Sequence, residues 1–236
     1  FAAGTPQLRA FSGRAHAVAA PGLATRSYDE GRTNYWASWQ VACLTGDLDA
    51  LPTAWRPVIA HDLTRYVMAL RAWGVGWVDL DADAPDSVPG LTKVDEEANG
   101  PVFALDGALG RAYAVDEVMS LPDADAIARA MTRADFDPAR VALTTAARVA
   151  GRYPGSAGCV LHWVDDQPEE IGLDVDAPDR AFVVVADADL PGWRAEVDGV
   201  ATAIVPVDLL VRGVVVPPGH HRLAMRYEAP GLRQAV

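Results

Sequence analysis

The sequence predicts a mixed α+β or α/β part followed by an all-β antiparallel β-sandwich, and three observations predict it. In the first half, apolar residues recur at helical spacings between short apolar runs. From Gly158 onward the helical period is gone, and short runs divided by Pro, Gly and Asp recur about every 8–12 residues, as sandwich strands do. Within that second half, Asp198-Gly199 stands between two strand-like runs as a tight-hairpin signal. The division is expected in the stretch Arg152-Tyr153-Pro154-Gly155-Ser156, giving a mixed domain over residues 1–154 and a sandwich over 155–236.

Thr33-Asn34 precedes Tyr35 to Ala42 and marks a short capped helix ending near Gly46, with Trp36 and Trp39 on its core face. A longer helix follows Pro52, since Trp55, Ile59, Leu63, Tyr66, Val67 and Leu70 share one face, and Gly74 stops it. Val75 to Leu80 is a short apolar run bounded by the turn residues Asp83 to Gly90 and predicts a buried strand. Val102 to Leu105 and Ala112 to Val118 predict two more. Leu121-Pro122-Asp123 opens a helix through Ile127, Ala130 and Met131, with Asp123 or Asp125 at its N-terminus. Val141 to Thr144 is again strand-like. Seven runs fill the second half: Cys159–Val164, Glu170–Asp176, Ala181–Ala186, Trp193–Val197, Ala201–Val205, Leu209–Val216 and Arg222–Tyr227. Alternation puts Ile171, Leu173 and Val175 on one face, and Leu223, Met225 and Tyr227 on another.

Composition narrows the function. Among 236 residues, 20 are basic and 32 acidic, a formal net charge of −12. That balance argues against nucleic acid and anionic lipid surfaces, which call for basic patches. Lys93 is the single lysine. No apolar stretch is long enough to span a bilayer. Cys43 and Cys159 lie far apart without a metal-ligand spacing, so a disulfide and two buried thiols both remain open.

The motifs that chemistry would need are incomplete. Asp79, Asp81, Asp83 and Asp86 have the alternation of a calcium loop, but Ala84 and Gly90 stand where Gly and Glu are required. His220 and His221 are adjacent on a strand and point to opposite faces, so they cannot share a metal ion; His61 and His162 are isolated. Ser156 lies in Pro-Gly-Ser-Ala-Gly, which is not a nucleophile elbow. Gly107 and Gly110 lack the lysine of a phosphate loop. The pairs Asp165-Asp166 and Glu169-Glu170 meet the residue requirement of a glycoside hydrolase but do not announce a cleft. No cofactor or metal is implied. Aromatic faces on sandwiches stack against sugar rings, so Trp163 and Trp193, with the polar Asp198 and His220, are the candidate glycan contacts. Core packing is the competing role of both tryptophans.

Three C-terminal segments carry a resemblance: Leu190-Pro191-Gly192-Trp193-Arg194-Ala195-Glu196-Val197-Asp198-Gly199, Arg212-Gly213-Val214-Val215-Val216-Pro217-Pro218-Gly219-His220-His221, and Met225-Arg226-Tyr227-Glu228-Ala229-Pro230-Gly231. In this order they resemble the extracytoplasmic C-terminal region of YfhO-type bacterial membrane proteins. Those proteins are polytopic and similar to lipid-linked-sugar glycosyltransferases of the GT-C class. Upstream, Leu70 to Val78, Val102 to Asp106 with Leu109 to Val115, and Phe136-Asp137-Pro138 resemble further segments of that family, so the likeness covers Leu70 to Gly231. It departs at Ala104-Leu105-Asp106, where the family has Tyr-Glu-Asn, and at Gly110, where the family has Pro. Residues 1–69 are matched by position alone. The resemblance implies a non-catalytic accessory domain on the extracytoplasmic face of the bacterial membrane, with membrane helices flanking it and transferase chemistry elsewhere in the protein. Its partner would be a cell-envelope glycan or a protein. A structural or protein-interaction module that binds no sugar is the alternative, and a secreted glycoside hydrolase is a third.

Overall fold

The computed structural model describes residues 9–12, 63–79, 86–97, 100–167 and 169–228. The helix expected at Tyr35, with Trp36, Trp39 and Cys43, lies outside them. So do the start of the helix after Pro52 and much of the acidic turn at Asp81 and Asp83. Among the described residues the chain is β-rich, with several antiparallel sheets and few helices, and no helix is long and apolar enough to cross a membrane. It divides into two units, residues 1–111 with 130–135, and residues 112–129 with 136–236. The stretch Arg152 to Ser156, read from sequence as the hinge, therefore lies inside the second unit.

In the first unit, β1 (Arg9–Ser12), β2 (Val75–Asp79), β3 (Leu91–Glu97) and β4 (Gly100–Leu105) form an antiparallel sheet in the order β1-β2-β4-β3. Helix α1 (Leu63–Ala72) precedes β2 and buries Val67, Leu70 and Trp73 just beyond its end. Gly74 stops it as expected, with φ +68° and its N–H donated to the Arg71 carbonyl at 3.0 Å. Strand β3 was not legible, because Thr92 to Glu96 are all exposed and no apolar alternation marks Leu-Thr-Lys-Val-Asp-Glu-Glu.

The second unit begins at Ala112. The single strand expected over Ala112–Val118 is two, β5 (Ala112–Val115) and β6 (Glu117–Ser120), and they join different sheets. The break is at Asp116. Its carboxylate accepts the Ser156 hydroxyl and the Arg140 Nε–H, and its carbonyl accepts the Tyr153 N–H. Strand β6 lies between β7 (Val141–Thr144), to which it is parallel, and the two-residue β8 (Gly151–Arg152). Helix α2 (Ala124–Met131) makes the crossover between the parallel strands. Asp123 caps it: Oδ1 accepts the Ala126 N–H at 2.7 Å, and its carbonyl accepts the Ile127 N–H. Asp123→Ala is expected to lower stability by about 1 kcal/mol, measured by urea unfolding, with Asp123→Asn close to wild type.

The remaining strands are β9 (Val160–Gln167), β10 (Glu170–Ala177), β11 (Ala181–Ala188), β12 (Trp193–Val197), β13 (Val200–Thr202), β14 (Val205–Val207), β15 (Val211–Val216) and β16 (Gly219–Tyr227). With β5 they make two antiparallel sheets, ordered β13-β12-β16-β10-β9 and β14-β15-β11-β5. Each expected run in this half contains a strand, and Ala201–Val205 resolves into two.

The two sheets share one core. Ile171, Leu173, Val175, Leu223 and Met225 from one face Val183, Val185, Val214 and Val216 from the other. The alternation of β10 and β16 is therefore that of strands with one dry face. Strand β11 differs, because Ala181 to Ala186 are all buried and both of its faces are covered. On the face away from the shared core, the Phe182 ring meets that of Tyr153 at 5.3 Å. Two-sided burial is the reason this run is continuously apolar.

Candidate functional site

The outer face of the five-stranded sheet carries charge in rows set by the register. Arg222 on β16 donates to Asp174 on β10 at 3.1 Å and to Asp165 on β9, spanning three strands. It lies flat because the sheet is bare beneath it: a Cβ on Gly172 would be 2.5 Å from its Nη2. Arg226 holds Glu170 at 3.1 Å, and Arg194 holds Glu228 at 2.9 Å. Asp165 and Glu170, read as halves of possible hydrolytic pairs, thus serve as acceptors for strand-bridging arginines.

At one end of this sheet the Asp198-Gly199 hairpin forms as expected. Its φ values of +53° and +76° are those of a type I′ turn, whose twist matches paired strands. Asp198 also reaches β16: Oδ1 accepts the Arg222 N–H at 2.8 Å, and Oδ2 meets His221 Nδ1 at 2.6 Å. The Arg222 N–H, then His221, hold the Asp198 carboxyl below its usual range. The other His221 nitrogen, Nε2, meets the Pro218 carbonyl at 2.9 Å. With both ring nitrogens engaged, His221 is not placed to act as a general base.

At the start of β12 a guanidinium is buried. Arg212 on β15 is fully buried, lies 3.9 Å over the Trp193 ring and donates to Asp187 at 3.1 Å. Register shifts in β11 between Val185 and Ala188, opposite Arg212 and Val211, where Asp187 lies. Tyr227 packs against Trp193 with ring centroids 5.5 Å apart. Asp189, half-buried, has its carboxyl pushed up by burial, which the nearby Arg212 charge partly offsets.

Two further polar groups bear on chemistry. The Ser156 hydroxyl donates directly to Asp116, whose pKa is lowered by that bond and by Arg140, so this carboxylate is a weak base. Cys159 carries a free thiol packed against the core shared by the two sheets, and burial pushes its pKa up, away from the reactive thiolate. Among the described residues no group of three His, Cys, Asp or Glu side chains is arranged to hold a metal ion.

The four residues singled out from the sequence occupy separate settings. Trp163 lies on edge strand β9 opposite Leu173 and is 38% exposed. Trp193 packs on the core with one ring face under Arg212. Asp198 is in the hairpin, and His220 is exposed at the start of β16, opposite Asp176. The structure brings Asp198 to His221 rather than to His220, which the period of two could not decide without knowing which face the hairpin covers. Arg212 was missed as well. Its signal was a lone arginine followed by Gly in a Val-rich strand, with Asp187 and Asp189 upstream.

Comparison of the chain with models of known protein families, with curated proteins and with solved structures finds no match.

Proposed function

We propose that this chain is a non-catalytic, extracytoplasmic accessory domain of a polytopic bacterial membrane protein of glycosyltransferase type, a mixed α/β part followed by an antiparallel β-sandwich. It holds a cell-envelope glycan near an active site in the membrane. The observation that carries the reading is the order of the YfhO-like segments from Leu70 to Gly231. Those segments cover most of β2 and β4, all of β5, and the β12–β13 and β15–β16 turns. The polar clusters support it, since the carboxylates of Asp116, Asp165, Asp174 and Asp198 all hold strands and turns together.

Of the two sandwich tryptophans, Trp163 is the glycan contact in this reading. It is the more open, on an edge strand with exposed Val160 and Val164, while Trp193 is engaged by Arg212 and Tyr227. A glycan array probed with the chain is expected to give a hit that Trp163→Ala abolishes without moving the melting temperature. Trp193→Ala is expected to keep the hit and lose on the order of 2 kcal/mol of stability, less than a fully buried indole would cost. A blank array from well-folded protein would overturn the proposal.

A further inference from the structure

His221 joins two turns that the chain order keeps apart, the Asp198-Gly199 hairpin between β12 and β13 and the Pro217-Pro218-Gly219 turn between β15 and β16. Its ring is mostly shielded, with 18% of the side chain exposed. Nδ1 lies 2.6 Å from a carboxylate oxygen of Asp198, and Nε2 lies 2.9 Å from the Pro218 carbonyl. A carbonyl oxygen accepts and cannot donate, and an ionised carboxylate is likewise an acceptor alone. Both contacts are hydrogen bonds when both ring nitrogens carry hydrogen. In either neutral tautomer one ring lone pair faces an oxygen lone pair at that short range, and the ion pair with Asp198 is gone as well.

We propose that His221 is a proton-controlled clasp: as the imidazolium it pins the β12–β13 hairpin to the β15–β16 turn, and on losing its proton it lets this end of the five-stranded sheet loosen. The charged surroundings favour that sense. Asp198 faces the ring from the hairpin. On β16 itself His220 and Arg222 flank it, and Arg222 spends its backbone N–H on Asp198 and its guanidinium on Asp165 and Asp174. From β10 the residue opposite is Val175, with Asp174 and Asp176 on either side of it. Asp198 first, and the Pro218 carbonyl second, raise the ring's pKa above its ordinary 6.5. A raised folded-state pKa means that the contribution to stability is complete below the unfolded value and is lost as the pH rises through the folded one. The clasp is therefore closed in mildly acidic surroundings and opens on the alkaline side of 6.5. It does not rest on glycan binding.

Asp198→Asn is a suitable test variant, because Asn-Gly suits a type I′ turn at least as well as Asp-Gly and the hairpin is kept. NMR titration of the ring in the intact chain is expected to give a His221 pKa above 6.5, with both nitrogens protonated below it, falling by about half a unit or more in Asp198→Asn. Amide exchange at Asp198 and Arg222, corrected for its intrinsic pH dependence, is expected to accelerate between about pH 6 and about pH 9 in the wild type, and not in His221→Gln. A wild-type ring that titrates at or below 6.5, or exchange with the same corrected slope in His221→Gln, would overturn the clasp. The wild-type titration decides the matter even if that variant folds poorly.

Discussion

Gly213→Ala is expected to cost about 3 kcal/mol, a large share of the stability of a domain this size. A Cβ at that position would lie 2.2 Å from both Cε1 and Cζ of the Phe182 ring. The ring cannot step aside, because it is fully buried and packed at a tilt against Tyr153 with centroids 5.3 Å apart. The fault is crowding rather than backbone strain, so shrinking the neighbour relieves it. Urea unfolding of Gly213→Ala, Phe182→Leu and the double variant checks this: the double variant is expected to be more stable than the sum of the single losses. Additive losses would mean that the ring is not what the glycine accommodates. Gly155→Ala belongs with it and offers no such rescue, since its Cβ would meet the backbone oxygen of Asp179 at 1.9 Å.

Asp208→Asn is expected to act in the opposite direction and to stabilise the protein at neutral pH. Asp208 is fully buried in the β14–β15 turn, where its Oδ1 accepts the Leu143 N–H and its own N–H donates to the Leu143 carbonyl, each at 2.8 Å. Burial raises its pKa from 3.8 to about 7, with the Leu143 N–H opposing the shift, and Tyr113, itself pushed well up by burial, feels its charge. The folded state therefore holds this proton after the unfolded chain has released it. Stability falls as the pH climbs from 3.8 toward 7 and levels off above, a total on the order of 4 kcal/mol. Asparagine has no charge to bury, keeps an acceptor for Leu143 and tolerates the φ of +50° found here. Melting curves from about pH 4 to about pH 8 should show the variant gaining on the wild type as the pH rises. An equal difference at every pH would show that the carboxyl does not titrate in this window.

Much of the fold was legible because local patterns and tertiary burial agree there. The strand runs of the second half, the Asp198-Gly199 turn, the Asp123 cap and the Gly74 stop all have short-range causes in period, φ preference and side-chain hydrogen bonding. What was not legible depends on distant partners. Nothing local ends the strand at Asp116; Ser156, 40 residues away, and Arg140 hold the chain where it changes sheets. Strand β3 is exposed and pairs through its backbone with β4, which leaves no apolar signature. The candidate site divides in the same way. Aromatic type singled out Trp163 and Trp193 together, while burial by Arg212 separates them, and strand period showed that His220 and His221 diverge without showing which one the hairpin would meet.

The amino-acid sequence by itself thus determined the strand runs of the second half, the Asp198-Gly199 turn between two of them, and a strongly acidic net charge. Hydrophobic period and turn chemistry act over a few residues, so they can be read without coordinates. Only the tertiary structure decided that β5 completes the second sheet, that Arg212 lies buried over the Trp193 ring, and that Asp198 grips His221. Each of these is a contact between segments far apart in the chain, and burial and electrostatics depend on what those segments bring to one place.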